Sequence, residues 1–154
     1  MTVDVEKIVR ENLPGVIHMS LATSKDDKPW TCEVHFAYDE DLNLYFRSLT
    51  SRRHSEEIVS NPNVAGNIIK QVGLGEPALG VYFEGTAKVL GVGDEQNKAF
   101  ECLAKRLQVG PEKLEEAKDP NGHQFYKVSV GNWYVFGNLD GEGGKKYELK
   151  WGRG

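Results

Sequence analysis

The residues best suited to chemistry stand together in one short segment, at positions 47–55 (RSLTSRRHS). This segment holds three arginines, one histidine and four hydroxyl side chains, and it holds no carboxylate in a chain whose net charge is −4. Arginine donates paired, charge-assisted hydrogen bonds to phosphate and carboxylate oxygens. The segment also lies between a predicted strand and a predicted helix, where free backbone N–H groups attract anions. It therefore predicts an anion site, and most naturally a phosphate site.

A second interpretation of the same segment is structural. Its arginines could instead pair with the neighbouring Glu56 and Glu57, or with the acidic turn at residues 39–41. Exposed ion pairs of this kind are common and contribute little to stability. Residue types and spacing alone leave both interpretations open.

Other familiar chemistries lack a matching pattern. The four histidines show neither H-x-H nor H-E-x-x-H spacing, so no metal site is predicted. No G-x-S-x-G motif is present, and Cys32 falls on the predicted apolar face of its strand, which argues against a nucleophile. Residues 91–96 (GVGDEQ) resemble a dinucleotide fingerprint without its third glycine, and Asp94 is instead predicted to be a helix N-cap. If the protein is an enzyme, we expect a bound cofactor to supply the difficult chemistry.

Length and composition exclude several classes of protein. The 154 residues suffice for one domain, and 39% hydrophobic with 27% charged residues is typical of a globular chain. The acidic balance argues against a nucleic-acid partner, and no apolar stretch approaches the roughly 18 residues that span a bilayer. The two cysteines lie far apart and the N-terminus lacks a signal-peptide pattern, so we expect a reduced, cytoplasmic protein. The 17 glycines favour tight turns and a strand-rich fold.

Apolar periodicity predicts a mainly β fold with short helices (α+β). Helices are expected at residues 4–12, 52–60, 94–108 and just after Pro111, with Thr50 or Ser51 capping the second of them. Alternating apolar residues, such as Leu42, Leu44 and Phe46, indicate strands. The predicted strands are residues 16–23, 30–38, 42–47, 64–71, 78–90, 124–130, 132–137 and 147–151. Many antiparallel strands with few helices fit a small β-barrel.

The order of these elements, together with several short sequence segments, resembles that of one known family. The matching segments are residues 20–23 (SLAT), 28–30 (KPW), 37–40 (AYDE), 44–53 (LYFRSLTSRR), 61–64 (NPNV), 83–89 (FEGTAKV) and the closing strands at 126–136. They resemble the pyridoxamine 5′-phosphate oxidase-like, FMN-binding split-barrel superfamily. The resemblance implies a single antiparallel split β-barrel domain over residues 1–154, with a glycine-rich C-terminal segment at 137–154.

The resemblance further implies a homodimer that binds FMN at the subunit interface. Arg52 and Arg53 match the phosphate-binding pair, residues 46–49 match the strand end along the flavin, and residues 31–36 match a flavin-contacting segment. Strand alternation places Thr31, Glu33 and His35 on one face, which is also what a solvent- or dimer-facing polar stripe would show. The implied cofactor-binding residues are Thr31, Glu33, Val34, His35, Phe46, Arg47, Ser48, Leu49, Ser51, Arg52, Arg53 and, from the partner subunit, Trp133.

The resemblance is to the general flavin-binding members rather than to the pyridoxamine phosphate oxidases themselves. Thr31 and Phe36 stand where those enzymes carry basic residues, and the tail lacks their R-x-H arrangement. The leading hypothesis is an FMN-dependent oxidoreductase that uses flavin N5 and acts on a small-molecule redox substrate or electron donor. The alternatives are a flavin-binding electron-carrier or stress-response module without turnover, and a deazaflavin-dependent reductase.

Overall fold

The structure of the protein is a computed structural model, and it describes residues 2–152. Eight strands and four α-helices occur in this range, with one 3-10 turn after the first helix. The strands are β1 (His18–Lys25), β2 (Lys28–His35), β3 (Ala37–Tyr38), β4 (Leu44–Ser48), β5 (Asn63–Asn67), β6 (Gly80–Leu90), β7 (Gln124–Gly137) and β8 (Lys145–Lys150). The helices are α1 (Val5–Asn12), α2 (Arg53–Ser60), α3 (Asp94–Leu107) and α4 (Glu112–Glu116).

All strand pairs are antiparallel and form one sheet. The strand order is β2-β1-β5-β6-β7-β4-β3, and β8 adds to β7 outside this path. The sheet curls into a half-barrel, and the short helices pack at its ends and on its outer side. The predicted fold class, a mainly antiparallel split barrel with short helices, is confirmed.

Two hydrophobic clusters lie on opposite faces of the sheet. The larger cluster fills the barrel and includes Phe46 and Trp133, both of which are fully buried. The smaller cluster lies between the sheet and α3, and it includes Tyr45 and Phe125. Because successive strand residues point to opposite faces, β4 sends Phe46 into the barrel and its neighbours Tyr45 and Arg47 toward α3.

Several predicted boundaries were wrong. The predicted strand at residues 30–38 is divided into β2 and β3, because Phe36 turns into the barrel core and β3 pairs with β4 instead. The two predicted strands at 124–130 and 132–137 form the single strand β7, which passes Gly131 through a register shift opposite Glu84 and Gly85. The predicted strand at 64–71 ends at Asn67. In the glycine-rich C-terminal segment, β8 folds back on β7, and residues 153–154 lie outside the described residues.

Both predicted N-caps were also wrong. The N-cap of α3 is Gly93, whose φ of 151° is unfavourable for other residues, and Asp94 instead occupies the first turn, where its charge complements the helix dipole. The N-cap of α2 is Arg52 rather than Thr50 or Ser51, because the preceding turn closes with a hydrogen bond from Arg52 N to Leu49 O. No side chain in residues 2–152 caps α2, so its first backbone N–H groups stay available.

Arg106 fastens α3 to the barrel. Its guanidinium donates to the backbone carbonyl oxygens of Leu13, Val16 and Phe36. These carbonyls belong to the chain entering β1 and leaving β2, so one side chain ties the helix to the first hairpin. These hydrogen bonds fix the position of α3 relative to the barrel.

Candidate functional site

A cleft of about 450 Å³ opens at the end of β4, between α2 and α3. It collects residues from β2, β4, α2, α3 and the segment before β7. They are Glu33, Val34, His35, Arg47, Ser48, Leu49, Arg52, His54, Leu103, Leu107, Val109 and His123. Seven of these twelve residues are among the cofactor-binding residues predicted from the sequence, namely Glu33, Val34, His35, Arg47, Ser48, Leu49 and Arg52.

The other five predicted residues lie elsewhere. Phe46 and Trp133 are fully buried in the barrel, where Phe46 stacks on Tyr126 at a centroid distance of 4.9 Å. Thr31 and Ser51 are exposed on β2 and in the turn before α2. Arg53 does not line the cleft either. Phe46 and Trp133 are buried because large aromatic side chains are stabilised by removal from water.

One part of the cleft, which we call the α2 side, consists of Ser48, Arg52 and His54. Ser48 Oγ lies 2.8 Å from His54 Nε2, and the fully buried Ser55 donates to Ser48 Oγ at 3.2 Å. Burial and, secondarily, the charge of Arg52 hold the pKa of His54 below its ordinary value of 6.5, so the imidazole is neutral at neutral pH. The α2 side therefore presents one exposed arginine and neutral hydrogen-bonding groups beside an uncapped helix N-terminus.

Arg53 is turned away from the cleft. Its Nε donates to Glu57 Oε2 at 2.8 Å, one helical turn along α2, and its guanidinium lies 4.2 Å from the centre of the Trp30 ring. Pairing with a neighbouring glutamate, the second interpretation of the segment, therefore applies to Arg53. Arg52 instead lines the cleft. A phosphate contact from Arg53 stays a prediction.

The other part of the cleft, which we call the α3 side, consists of Arg47, Leu103, Leu107, Val109 and His123. Arg47 lies over the Phe125 ring at 5.7 Å, and burial lowers the pKa of its guanidinium while nearby Glu116 opposes that shift. Its Nε and Nη2 atoms are buried and have no hydrogen-bond acceptor within residues 2–152. The three aliphatic side chains line the same cleft.

Glu116 connects Arg47 with His123. Glu116 Oε2 accepts from the backbone N–H of His123 at 2.7 Å and lies 2.8 Å from His123 Nδ1. These hydrogen bonds lower the pKa of Glu116 to about 2, so the carboxylate is ionised and Nδ1 must carry the proton in the pair. The other oxygen, Oε1, faces Arg47 Nη2 at 3.5 Å and Lys113 Nζ at 3.7 Å.

This low pKa predicts a pH-dependent contribution to stability. Because the pKa of Glu116 falls from 4.5 to about 2 on folding, the contribution is present above pH 4.5 and is lost as the pH drops toward 2. We expect wild type to lose more of its free energy of unfolding across this window than a Glu116→Gln variant does. Urea unfolding at both ends of the window measures the difference, and parallel losses in the two proteins would contradict the assignment.

Glu33 and His35 lie on the exposed face of β2 together with Thr31, as strand alternation predicts. Glu33 accepts a short hydrogen bond from Ser20 and lies 3.1 Å from His18 Nδ1 on β1. Strand β2 pairs only with β1 in the described sheet, so its outer edge carries unpaired backbone groups. No cluster of three or more metal-ligating side chains occurs in the described part of the chain.

Sequence reasoning missed five residues that line the cleft. His54 belongs to the segment 47–55, and its position in the first turn of α2 was a usable signal. Leu103 and Leu107 belong to the apolar stripe of α3, and such a stripe ordinarily packs into a core rather than lining a cleft. Val109 and His123 carried no signal, because only the folded chain brings them to β4.

The helices of residues 2–152 include none that is long and apolar enough to cross a membrane.

Comparisons with known proteins agree with this fold. The family model of pyridoxamine 5′-phosphate oxidase matches residues 5–137, whereas no curated protein matches the chain. General Stress Protein 26 from Bacillus anthracis has a similar structure, with a TM-score of 0.65 and 22% identity over 96% of this chain and 100% of that one. A heme-binding protein from Mycobacterium smegmatis has a TM-score of 0.76 and 14% identity, over 97% of this chain but only 59% of its own.

At these identities the structural neighbours support the fold alone, while the sequence match extends over most of the described residues. The strand order, the curled antiparallel sheet and the matched range agree with one another. The chain belongs to the pyridoxamine 5′-phosphate oxidase-like split-barrel family.

Proposed function

We propose that the protein binds FMN in the cleft and is an FMN-dependent oxidoreductase. The observation that carries this proposal is the α2 side, where Arg52 stands at the uncapped N-terminus of an eight-residue helix. Free N–H groups, the helix dipole and a guanidinium together fit a phosphate monoester. Ser48 supplies a hydroxyl next to them.

The unpaired edge of β2 fits the ring of the cofactor. Residues 33–35 line the cleft, and an edge strand offers alternating backbone N–H and C=O groups. The uracil-like edge of a flavin carries the complementary donors and acceptors. We propose that this strand orients the ring while α2 holds the phosphate.

Bound FMN would supply hydride or electron transfer at N5. Arg47 and Arg52 give the cleft positive charge, which stabilises a negatively charged reduced cofactor. Leu103, Leu107 and Val109 keep water from one wall of the cleft. The protein thus contributes orientation, charge and partial shielding to the reaction.

A homodimer is part of this proposal. The outer face of β6 and β7 exposes the aromatic side chains of Tyr82, Tyr134 and Phe136, which surround a shallow apolar depression with Lys146. Phe136 is 45% exposed, which is unusual for so large an apolar side chain on a strand. Sedimentation at several protein concentrations tests this, and a monomer throughout would contradict the dimer.

The purified protein tests cofactor binding directly. We expect flavin absorption in the protein as isolated, or saturable quenching of flavin fluorescence when FMN is titrated into the cofactor-free protein. Failure to bind FMN under both conditions would contradict the proposed cofactor. Titrations with a deazaflavin cofactor and with hemin distinguish FMN from other cofactors, since the structural neighbour from M. smegmatis is a heme-binding protein.

Arg52→Ala is expected to weaken FMN binding by roughly tenfold or more, because a charge-assisted hydrogen bond to the phosphate is lost. The exposed Arg52 contributes little to the fold, so we expect the free energy of unfolding to change by less than about 0.5 kcal/mol. Arg53→Ala is the matched comparison, since it removes the same charge from the adjacent residue. Equal losses of FMN affinity in the two variants would mean that Arg52 and Arg53 both contact the phosphate, and would contradict a site formed by Arg52 alone.

Turnover distinguishes an enzyme from a flavin-binding carrier or stress-response module. We expect the FMN-loaded protein to reoxidise its reduced flavin with saturation kinetics when a suitable acceptor is supplied. A survey of quinone, nitro-compound and disulfide acceptors, each compared with free FMN, measures this. Rates equal to those of free FMN for every acceptor would favour the module without turnover.

A further inference from the structure

His54 is a buried titratable side chain at the start of α2. It is the second residue of that helix, and it lines the same cleft as Arg52. Its ring packs in a tilted orientation against Phe46, at a centroid distance of 6.1 Å, and its Nε2 atom is bonded to Ser48. A phosphate held by Arg52 and the first N–H groups of α2 would therefore lie next to this imidazole.

The charges around His54 disfavour its protonated form as long as no anion is bound. Burial has the largest effect on its pKa, and the charge of Arg52 lowers that pKa further. The N-terminus of α2 adds a positive potential of its own. Glu57 acts in the opposite direction, but its carboxylate is paired with Arg53 at 2.8 Å. Glu56, in the same turn, is exposed and is not among the charges that shift this pKa.

The other titratable groups near the cleft leave this balance unchanged. Those that line the cleft are Glu33, His35, Arg47 and His123. Arg47 lies on the α3 side, where Glu112 and Glu116 both act on it with the opposite charge. On β7, burial raises the pKa of the Tyr126 hydroxyl, so this group stays neutral. None of these groups is among the charges that shift the pKa of His54.

The surroundings of His54 can nevertheless accept its protonated form. Ser48 Oγ lies 2.8 Å from Nε2 and can turn its own hydrogen to the carbonyl oxygen of Leu49 at 3.3 Å, so Nε2–H has an acceptor. The other ring nitrogen, Nδ1, makes no hydrogen bond within residues 2–152, and it is not one of the buried polar atoms without a partner there. Nδ1 is therefore accessible and can take up a proton from solvent.

A bound phosphate would cancel or reverse the charge next to His54. Arg52 and the helix N-terminus together supply about +1.5 charges. A phosphate monoester carries about −1.5 to −2 charges at pH 7. The imidazolium is disfavoured beside the first and is no longer disfavoured beside the sum of the two. Because coupling between two bound species is reciprocal, phosphate binding should favour protonation and protonation should favour phosphate binding.

We propose that His54 takes up a proton when a phosphate monoester dianion binds at the α2 side, and that the resulting imidazolium belongs to the phosphate site. The proton comes from solvent, so each site binds one dianion and up to one proton. The inference rests on the proposed function in one respect, because FMN is taken as the source of the phosphate. A free phosphate ion carries the same charge and should protonate His54 in the same way.

Calorimetric titration of the cofactor-free protein with FMN measures the coupling. At about pH 7.5, in two phosphate-free buffers of different ionisation enthalpy, the difference between the binding enthalpies gives the number of protons taken up. We expect a substantial fraction of one proton per FMN, and no such uptake with riboflavin, which lacks the phosphate. FMN affinity should fall between about pH 6.5 and 8.5, by about threefold per pH unit for each half proton. Over this range the phosphate itself is mostly ionised, since its second pKa is about 6.

His54→Gln is the central variant, because glutamine keeps a donor for Ser48 and cannot be protonated. We expect it to bind FMN without proton uptake and with a flatter pH dependence than wild type. His35→Gln and His123→Gln make the same exchange at the other histidines that line the cleft, and both should keep the wild-type uptake. Uptake that is lost in either of these two variants instead would contradict the assignment to His54.

NMR of the imidazole gives a second measurement in the wild-type protein. The ring signals of His54 can be assigned from their proximity to the Phe46 ring. In the cofactor-free protein their titration should have its midpoint below the ordinary value of 6.5, because burial and Arg52 lower the pKa. The midpoint should rise when FMN or inorganic phosphate is added. This measurement decides the matter if His54→Gln disturbs folding, which thermal unfolding reveals.

Three results would overturn the inference: no proton uptake when FMN binds to wild type, equal uptake with FMN and riboflavin, or undiminished uptake in a folded His54→Gln protein. If FMN binds without protonating His54, the proposed function stands and this inference fails. If FMN does not bind while inorganic phosphate raises the titration midpoint of His54, the inference stands and the proposed function fails.

Discussion

An Arg106→Leu variant is expected to lose about 3 kcal/mol or more of its free energy of unfolding. The Arg106 guanidinium donates to the carbonyl oxygens of Leu13 and Phe36, both at 3.0 Å, and to that of Val16. It also lies over the rings of Phe36 and Tyr38, at 4.9 and 5.1 Å from their centres. Leucine offers no donor, so three carbonyl groups lose a hydrogen bond together, each worth about 1–3 kcal/mol where it stays buried.

Urea unfolding followed by circular dichroism measures this loss. Lys105→Leu is the matched control, because Lys105 is the exposed neighbour on α3 and also exchanges a cation for leucine. Arg106→Lys should fall between the two, since one ammonium group cannot reach all three carbonyls. If Arg106→Leu and Lys105→Leu unfold at the same urea concentration, Arg106 does not fasten α3 to the barrel.

A Gly66→Ala variant is expected to be destabilised to a similar degree, by about 3 kcal/mol or more. Gly66 lies in β5, where it pairs with Leu21 on one side and Phe83 on the other. A Cβ atom there would lie 2.7 Å from Phe83 Cε1 and still closer to the backbone oxygen of Ser20. The phenyl ring can move only by disturbing the packed barrel, and the strand backbone cannot move without breaking its pairing.

Gly91→Ala is the matched control for this substitution. Apart from its two chain neighbours, no atom of residues 2–152 lies within 4 Å of a Cβ built at Gly91, and its backbone φ is not positive. Alanine there should be neutral or stabilising by a few tenths of a kcal/mol. The double variant Gly66→Ala with Phe83→Leu should recover part of the loss, which thermal unfolding detects. A Gly66→Ala protein as stable as Gly91→Ala would contradict the close packing of β5.

The fold was largely predictable because strand alternation is a local property. Leu44 and Phe46 were placed on one face from spacing alone, and both are fully buried in the barrel. The predicted strand at 42–47 begins only at Leu44, because Leu42 has a positive φ of 60° and reaches the core from the turn before β4. The errors fell where distant contacts decide the local structure. The strand predicted at 30–38 is interrupted at Phe36, because its ring packs in the barrel core. Strand β7 continues through Gly131, because its pairing with β6 shifts register at that point.

The candidate site was half predictable, for a related reason. The segment 47–55 showed that an anion site was plausible, and Arg47, Ser48 and Arg52 do line one cleft. Composition did not show that Arg53 would pair with Glu57 instead, since an i,i+4 ion pair and a ligand contact draw on the same residues. His123 lies 76 positions after Arg47 in the chain, and only the pairing of β4 with β7 brings them together.

The alternation of the last residues of β4 also bears on how such a protein can diversify. Positions 47 and 48 are adjacent in the gene, yet their side chains reach opposite walls of one cleft. A substitution at position 47 can therefore alter the charge and shape of the α3 wall while Ser48 and the α2 wall are inherited unchanged. Single substitutions could therefore change one wall of the cleft in a descendant while the other wall is kept.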